Sequence, residues 1–296
     1  MRILIVGGTN VDIYGRVTKE LIMRDSNIGE IDLLFGGVGK NIAENLARLN
    51  LDVTFLTVLG EDNFANDIEN YLKSLKIKLI IKRSKLLTPK YLAIFDEKND
   101  FTVGVNDMKA LREIDSSFLK DIDFNSYDLL VIDANLSEDA ISYLVSNVKI
   151  PIYAESISAQ KVIKFKPYLK GFKALKCNLI EAKALVGKDL PIINLCENLS
   201  NEGLKELYLT DGGKGSYYYS NDILRFFPSV SEEIVNTSGA GDAFFSGVIY
   251  AKIFNKAELL YGNSLASIIL KSKYSNNEEL TKELLESVVG KYANRY

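Results

Sequence analysis

Short runs of aliphatic and β-branched residues alternate along this chain with stretches whose apolar residues recur at helical spacing. The runs predict buried strands at 3–6, 53–58, 129–133, 150–154 and 207–210. Helical spacing is found at 41–49, 64–75, 138–145, 181–185 and 259–270. Parallel strands joined by helices bury both faces of their sheet. We therefore expect a doubly wound, mostly parallel sheet between two helical layers, a three-layer α/β/α fold.

Two segments, about 13–35 and 89–107, interrupt this alternation. The second contains YLAIFDEKNDFTVGV, which predicts two strands around a turn at 97–100. A small accessory sheet cannot bury both of its faces alone, so we expect it to cover a site, contact another subunit, or do both. We expect residues 1–296 to form one domain with these lid segments inserted in it.

The composition excludes several classes of function. A net charge of −3 gives no general attraction to a nucleic-acid polymer. The chain has no histidine, which excludes Ser-His-Asp triads and histidine-bound zinc, so carboxylates must perform any acid–base chemistry. Cys177 and Cys196 form no metal-binding pattern, and we expect two core thiols in a reducing compartment. The opening MRILIV is too short for a signal peptide and nothing predicts a membrane span, so we expect a cytoplasmic protein.

The stretch NTSGAGDAFFSG (236–247) places glycines and a carboxylate before an apolar helical run that continues towards Phe254. Asp242 falls in the first turn, where the helix dipole stabilises negative charge, so a plain helix cap is one interpretation. Gly239 and Gly241 also free the backbone to turn its N–H groups towards a bound anion. An anion site beside a carboxylate indicates phosphoryl transfer.

A second glycine cluster, FGGVGKNIAENLARL (35–49), leads into an amphipathic helix. It is not a Walker A loop, because Leu34 takes the first glycine position and Asn41 follows the lysine. Ile42 breaks the dinucleotide fingerprint GxGxxG, which leaves hydride transfer by an oxidoreductase as a weaker alternative.

Polar residues follow the first predicted strand in VGGTNVDI (6–13). Asn10 and Asp12 then lie at the carboxyl edge of the sheet, where open α/β sheets bind ligands. Asp12 can accept from two hydroxyls, while Asn10 or Asn41 can both donate and accept, as a vicinal diol requires. A simple turn explains Asn10 and Asp12 equally well.

Two further motifs each have two interpretations. In KCNLIEAKAL (176–185), Asn178 and Glu181 share one helix face and could steer Mg²⁺ through its waters, or form a capping box. In LTDGGKGSYYY (209–219), a glycine-rich turn joins two strands, which fits a loop near nucleotide phosphates or a plain hairpin. The residues of that turn are Thr210, Gly212, Gly213 and Gly215.

Together these five motifs, in this order and over nearly the whole chain, resemble the PfkB or ribokinase family of carbohydrate and nucleoside kinases. The resemblance implies a ribokinase-like fold with a β lid, ATP, Mg²⁺, a monovalent cation such as K⁺, and a homodimer formed through the lid. Asn236 departs from the pattern, since many members have Asp there, at the loop where the cation is implied.

The resemblance also implies roles for individual residues. Asp242 would be the catalytic base, beside an anion hole formed by Gly239, Ala240 and Gly241. The substrate side comprises Asn10, Asp12, Gly37, Asn41 and Asn135. Asn106 and Asp107 follow the accessory strands and could close over the base, although a strand-ending turn explains them equally well. The nucleotide side comprises Asn178, Thr210, Gly212, Gly213, Gly215, Thr237, Asn263 and Ser267, with Asn178 and Glu181 holding Mg²⁺ through water.

The segments TPKYLAIFDEKNDFTVGVNDMKAL (88–111) and VIDANLSEDAI (131–141) carry a narrower likeness, to family members that act on pseudouridine. It implies phosphorylation of the ribosyl 5′-hydroxyl of that nucleoside. Ribose, adenosine, uridine or another sugar would fit the same ribosyl residues. A non-catalytic sugar-binding protein on this fold is a further alternative, which the presence of Asp242 and its glycines disfavours.

Overall fold

The computed structural model describes residues 1–231 and 233–295. Its strands form two separate sheets, a nine-stranded main sheet and a four-stranded sheet that we call the lid sheet. The strands are β1 (Arg2–Val6), β2 (Asn10–Val17), β3 (Gly29–Gly36), β4 (Asp52–Leu59), β5 (Lys78–Arg83), β6 (Lys90–Phe95), β7 (Phe101–Asp107), β8 (Leu129–Asp133), β9 (Ile152–Glu155), β10 (Ala174–Asn178), β11 (Leu207–Thr210), β12 (Gly215–Ser220) and β13 (Ile223–Pro228).

Helices cover both faces of the main sheet. They are α1 (Val38–Arg48), α2 (Asn63–Ser74), α3 (Ser116–Leu119), α4 (Glu138–Asn147), α5 (Ala159–Val162), α6 (Leu179–Val186), α7 (Ile192–Asn201), α8 (Ala240–Ile253), α9 (Glu258–Leu270) and α10 (Lys282–Tyr292). None of these helices in the described part of the chain has the length and apolar character needed to cross a bilayer.

Two hydrophobic cores lie on opposite faces of the main sheet, because successive side chains of a strand point to opposite sides. In β1, Ile3 and Ile5 pack into the core that includes α1, α8 and α9. Leu4 and Val6 pack into the other core, formed with α4, α6 and α7. This arrangement confirms the three-layer α/β/α prediction. Cys177 and Cys196 are buried free thiols of the second core, as expected.

The main sheet has the order β13-β12-β11-β10-β9-β8-β1-β4-β5. It is parallel from β11 to β5, and the two outer strands β12 and β13 are antiparallel. Strand order reverses at β1, which pairs with β4 on one side and with β8 on the other. The carboxyl ends of strands at such a reversal leave a crevice in which α/β proteins bind ligands.

The lid sheet has the order β3-β2-β6-β7, which confirms the predicted accessory sheet. Its register places Leu34, Asp12, Tyr91 and Asn106 in one row across the four strands, with their side chains on one face. The next row, on the opposite face, holds Leu33, Ile13, Leu92 and Val105. The lid sheet therefore has a face that carries Asp12 and an opposite face that is apolar.

The predicted boundaries agree closely with the structure at 129–133 and 207–210. The strand predicted at 150–154 instead begins at Ile152, after Pro151, whose nitrogen has no hydrogen to donate to a sheet. The helix predicted at 41–49 begins earlier, at Val38, because Gly37 adopts a positive φ of 103° and acts as its N-cap.

Candidate active site

The first turn of α8 contains the glycines and the acid of the NTSGAGD stretch. Gly239 is the N-cap with a left-handed φ of 77°, and a side chain there would collide with the Ser275 backbone oxygen. Only glycine satisfies both constraints without strain. The backbone N–H groups at the start of an α-helix lack intrahelical acceptors, so this turn can receive an anion, as the sequence predicts.

Asp242 projects from that turn into the crevice beside α1. Its side chain is buried, and Asn41 Nδ2 donates to Asp242 Oδ2 at 2.8 Å. Burial raises the pKa of Asp242 to about 7, and the nearby Glu155 carboxylate adds to the rise. The hydrogen bond from Asn41 and the charge of Lys176 oppose it. A carboxylate with a pKa near neutrality is well matched to accept a proton from a substrate hydroxyl.

The predicted substrate residues converge at this crevice. Asn10 Nδ2 donates to Asp12 Oδ1 at 2.6 Å, and both residues belong to β2 of the lid sheet rather than to a free turn. Burial raises the pKa of Asp12 to about 6, against the hydrogen bond from Asn10 and the positive charge of Lys40. Gly37 fits tightly, since a Cβ there would lie 2.5 Å from the Gly8 oxygen. Four of the predicted residues thus share one crevice: Asn10, Asp12, Gly37 and Asn41.

Asp133, at the end of β8, holds the floor of this crevice and was not predicted. Its Oδ2 accepts from the N–H groups of Gly8 at 2.8 Å and Gly39 at 3.0 Å, and its Oδ1 accepts from Asn135 at 2.8 Å. Burial raises the pKa of Asp133, while these backbone donors lower it. One carboxylate therefore fixes the loop after β1 and the start of α1. An acid that closes an otherwise apolar strand was the available sequence signal.

A cavity of about 440 Å³ lies on the other side of the first turn of α8. Gly241 and Ala240 line it, so the turn that carries Asp242 separates the cavity from the crevice. Seven of the predicted nucleotide residues also line it: Asn178, Thr210, Gly212, Gly213, Gly215, Thr237 and Asn263. Ser267 does not line this cavity, and its buried hydroxyl donates to the Ser264 backbone oxygen of its own helix.

Lys176 also lines the cavity, and sequence reasoning missed it. Its Nζ donates to Glu155 Oε1 at 2.6 Å, and both side chains are buried. Burial alone would lower the pKa of Lys176, but the adjacent Glu155 carboxylate raises it above its ordinary value. A Cβ on Gly241 would lie 2.6 Å from Lys176 Nζ, so this cation sits against the anion-binding turn. A lysine within an apolar strand was the signal that could have identified it.

Asn178 and Glu181 form the capping box that the sequence allowed. Glu181 N–H donates to Asn178 Oδ1 at 2.9 Å, and Asn178 N–H donates to Glu181 Oε2 at 2.7 Å. Ser156 also donates to that Glu181 oxygen at 2.5 Å. Within residues 1–231 and 233–295, no group of three or more His, Cys, Asp or Glu could hold a metal directly.

The other predicted substrate residues lie at the margins. Asn135 packs against Gly8 and accepts from Lys161 Nζ at 2.6 Å, so it reaches the back of the crevice. Asn106 and Asp107 are exposed at the end of β7, the outer strand of the lid sheet. Asn106 shares the row and face of Asp12, whereas Asp107 pairs with Lys90 in the adjacent row.

The fold and the site define a kinase of the ribokinase type, and comparisons with known proteins agree. A model of the pfkB family carbohydrate kinases matches residues 1–282. The chain belongs to this family. It is 28% identical to a pseudouridine kinase of Escherichia coli over 94% of this chain and 93% of that protein. It is 24% identical to a guanosine-inosine kinase of Exiguobacterium acetylicum, over 84% of this chain and 86% of that protein.

Solved structures show the same ribokinase-like fold. A carbohydrate kinase from Agrobacterium tumefaciens superimposes with a TM-score of 0.87 at 26% identity, over 98% of this chain and 97% of that one. An Arabidopsis thaliana ribokinase complexed with ribose and ATP superimposes with a TM-score of 0.84 at 17% identity, over 97% of this chain and 98% of that one.

We expect Asp242→Asn to lower the turnover of phosphoryl transfer by about 10²- to 10⁴-fold, the usual effect of losing a positioned base. Asparagine keeps the size of the side chain, so substrate binding should change little. Initial rates at saturating substrates measure this effect. The exposed carboxylate of Asp121 offers a matched control, since Asp121→Asn removes the same charge from the surface. Near-normal turnover in a folded Asp242→Asn protein would remove Asp242 from the mechanism.

The pH dependence of the unmodified protein and of Asp242→Asn tests the raised pKa of Asp242. Because the base must be unprotonated, kcat/KM of the unmodified protein should fall as pH decreases through about 7, the pKa of Asp242. The residual activity of Asp242→Asn should lack this acidic limb. An unmodified protein whose kcat/KM stays flat from pH 8 to about pH 5, near the ordinary range of a carboxyl group, would contradict the assignment.

Proposed function

We propose that this chain is an ATP-dependent kinase that phosphorylates the ribosyl 5′-hydroxyl of pseudouridine, and that residues 1–296 act as one kinase domain. The position of Asp242 carries the proposal. Its carboxylate contacts Asn41 in the crevice, while the preceding residue, Gly241, lines the cavity. One turn of α8 can therefore contact both reactants. The similarity to the Escherichia coli pseudouridine kinase supports the choice of substrate.

In the crevice, Asp12 and Asn10 bind the ribosyl diol. Asp12 accepts from two hydroxyls, and Asn10 already holds its carboxylate from one side. Asn41 binds the substrate beside Asp242, so the 5′-hydroxyl approaches the base directly. A reacting hydroxyl held within hydrogen-bond distance of its base reacts far faster than a free one.

In the cavity, the glycine-rich turn after β11 receives the nucleotide. A side chain on Gly212 or Gly213 would meet no atom within 4 Å, so this surface is open for a ligand. The phosphates extend towards Gly239–Gly241, where the N–H groups at the start of α8 and the charged Lys176 stabilise negative charge. The Arabidopsis ribokinase that shares this fold is complexed with ribose and ATP, which supports ATP as the donor.

The reaction forms a bond between the 5′-oxygen and the γ-phosphorus and breaks the bond from that phosphorus to the β–γ bridging oxygen. ADP leaves, and the hydroxyl proton passes to Asp242. Mg²⁺, when bound, neutralises charge on the phosphates. Asn178 and Glu181 would hold such an ion through its waters, because Mg²⁺ keeps much of its hydration shell in proteins and the capping box already uses Asn178 Oδ1 and Glu181 Oε2.

A kinase for another nucleoside or sugar is the second candidate. The guanosine-inosine kinase of Exiguobacterium favours it, since that relative covers a similar share of this chain. ATP consumption on a panel of pseudouridine, uridine, guanosine, inosine and ribose distinguishes the candidates. A non-catalytic sugar-binding protein would consume no ATP on any of them, and an oxidoreductase would change the absorbance of added nicotinamide cofactor instead.

Pseudouridine differs from uridine by a free N1–H on its base, and the lid sheet offers an acceptor for it. Asn106 lies on the face of Asp12, two strands away, and each strand spacing is about 4.8 Å. The backbones of Asp12 and Asn106 are thus about 10 Å apart, and both side chains extend from the face that would cover a bound nucleoside. We propose that the Asn106 side-chain oxygen accepts from N1–H when the lid closes.

We expect kcat/KM for pseudouridine to exceed that for uridine by orders of magnitude, because uridine would leave a buried acceptor unpaired. Asn106→Ala should reduce this ratio by about tenfold or more. Asp107 was predicted with Asn106 to close over the substrate, but it lies in the adjacent row on the other face, so Asp107→Ala serves as the matched control. Equal specificity constants for pseudouridine and uridine in the unmodified protein would reject this substrate and leave the kinase assignment intact.

We also propose a homodimer formed through the apolar face of the lid sheet. On that face Leu33 is 54% exposed and Val105 is 58% exposed. Ile31 and Val103, two residues further along the same face, are exposed too. Val11, Ile13 and Phe35 at the near end of this face pack on the main core, whereas its outer part is exposed and can pair with a second copy about a twofold axis. A second copy would remove these side chains from water.

The mass in solution at micromolar concentration should be that of a dimer, and the double change Leu33→Asp with Val105→Asp should give a folded monomer. Ile223→Asp places the same charge at an exposed apolar position on β13 and should leave the dimer intact. Light scattering coupled to size-exclusion chromatography measures both. A monomeric unmodified protein would contradict the proposal.

A further inference from the structure

Two loops meet beside the anion-binding turn of α8. Residues 235–239 lead into that helix, and residues 270–276 follow α9; together we call them the loop junction. Val235 N–H donates to the Leu270 oxygen at 2.8 Å, and Asn236 N–H donates to the same oxygen at 3.3 Å. Gly239 packs directly on the Ser275 backbone. The direction of the first turn of α8 therefore depends on how these loops are held together.

The loop junction also contacts the substrate side. Asn276 donates through Nδ2 to the backbone oxygen of Asn41 at 3.3 Å. Its Oδ1 accepts from Lys40 Nζ at 2.7 Å. Ser275 Oγ donates to Asn41 Oδ1 at 3.4 Å. Because Asn41 in turn donates to Asp242, the junction sets the alignment of the substrate crevice with the anion-binding turn.

Asn236 links the two loops with both halves of its side-chain amide. Its Oδ1 accepts from Ser238 N–H at 2.9 Å, which shapes the turn before Gly239. Its Nδ2 donates to the Lys273 backbone oxygen at 2.8 Å, which ties that turn to the second loop. A carboxylate at this position could make the first contact but not the second, because an ionised carboxylate only accepts hydrogen bonds.

The residues at the junction do not fit the monovalent cation that the family resemblance implies. A K⁺ ion between these loops would need oxygen atoms that replace its hydration shell. The Lys273 oxygen instead accepts an N–H of the Asn236 amide, so a donor already occupies the side of that oxygen that a cation would need. An aspartate at 236 would leave two acceptor groups facing each other, which a cation would then have to bridge.

We infer that the Asn236 amide takes the place of a monovalent cation at the loop junction, so that this enzyme needs no K⁺. Asn236 is a positioning residue: it acts on the reactants through Gly239 and the first turn of α8. The inference rests on the proposed kinase activity for one of its two readouts, and the other readout is independent of activity.

The first readout compares phosphoryl transfer in KCl with that in tetramethylammonium chloride at equal ionic strength. The unmodified protein should have the same kcat in both salts. Asn236→Asp should lose about tenfold in kcat in tetramethylammonium chloride, from the pair of unbridged acceptors, and regain most of it in KCl. Asn125→Asp adds the same charge at an exposed surface site and should behave like the unmodified protein.

The second readout is the midpoint of thermal unfolding in the same two salts. The midpoint should be the same in both for the unmodified protein and for Asn125→Asp, and higher in KCl for Asn236→Asp. If no substrate on the panel were phosphorylated, this comparison would still test the inference. It is overturned by an unmodified protein whose kcat rises about tenfold in KCl, or by an Asn236→Asp protein that behaves identically in both salts.

Discussion

The hydrogen bond between Asn41 and Asp242 joins the two halves of the candidate active site. It connects α1, which follows the lid strand β3, with α8, which begins more than half the chain later. Neither helix is free to shift, because Asp133 holds the start of α1 through Gly39 and Gly239 packs on Ser275 at the start of α8. The alignment of a hydroxyl with a phosphoryl group therefore depends on packing contacts outside the reacting atoms, as expected where positioning provides most of the catalysis.

Electrostatics distinguishes Asp242 from the other buried acids around it. Asp133 accepts three backbone hydrogen bonds, and Glu155 pairs with Lys176 at 2.6 Å. Burial raises the pKa of Asp242 to about 7, and the nearby Glu155 charge adds to the rise. The hydrogen bond from the uncharged Asn41 amide opposes it. A carboxyl group with a pKa near 7 suits reversible protonation near neutral pH. Lys176, held charged by Glu155, supplies positive charge on the cavity side of the same turn.

The sequence predicted those parts of the structure that depend on local chemistry. Apolar runs located β8 and β11, and the pair Gly239 and Gly241 located the start of α8, where Gly239 has the left-handed backbone that glycine tolerates best. It did not reveal Asp133 or Lys176, since each acts through partners more than 20 residues away. Asn10 and Asp12 were equally compatible with a turn, and only pairing with β3 and β6 places them in the lid sheet. Ser267 was predicted on the nucleotide side, but its hydroxyl donates to the Ser264 backbone oxygen of its own helix. The sequence could not show this contact.

We propose that one turn of α8 delivers a phosphoryl group from the cavity to the ribosyl 5′-hydroxyl in the crevice. Phosphorus NMR of the product of a single turnover with ATP and pseudouridine tests it most directly. We expect one phosphate monoester, formed in equal amount to ADP, whose phosphorus couples to both protons on the 5′-carbon. Phosphate attached to the 2′- or 3′-oxygen, or ADP formed with free phosphate and unchanged nucleoside, would contradict it.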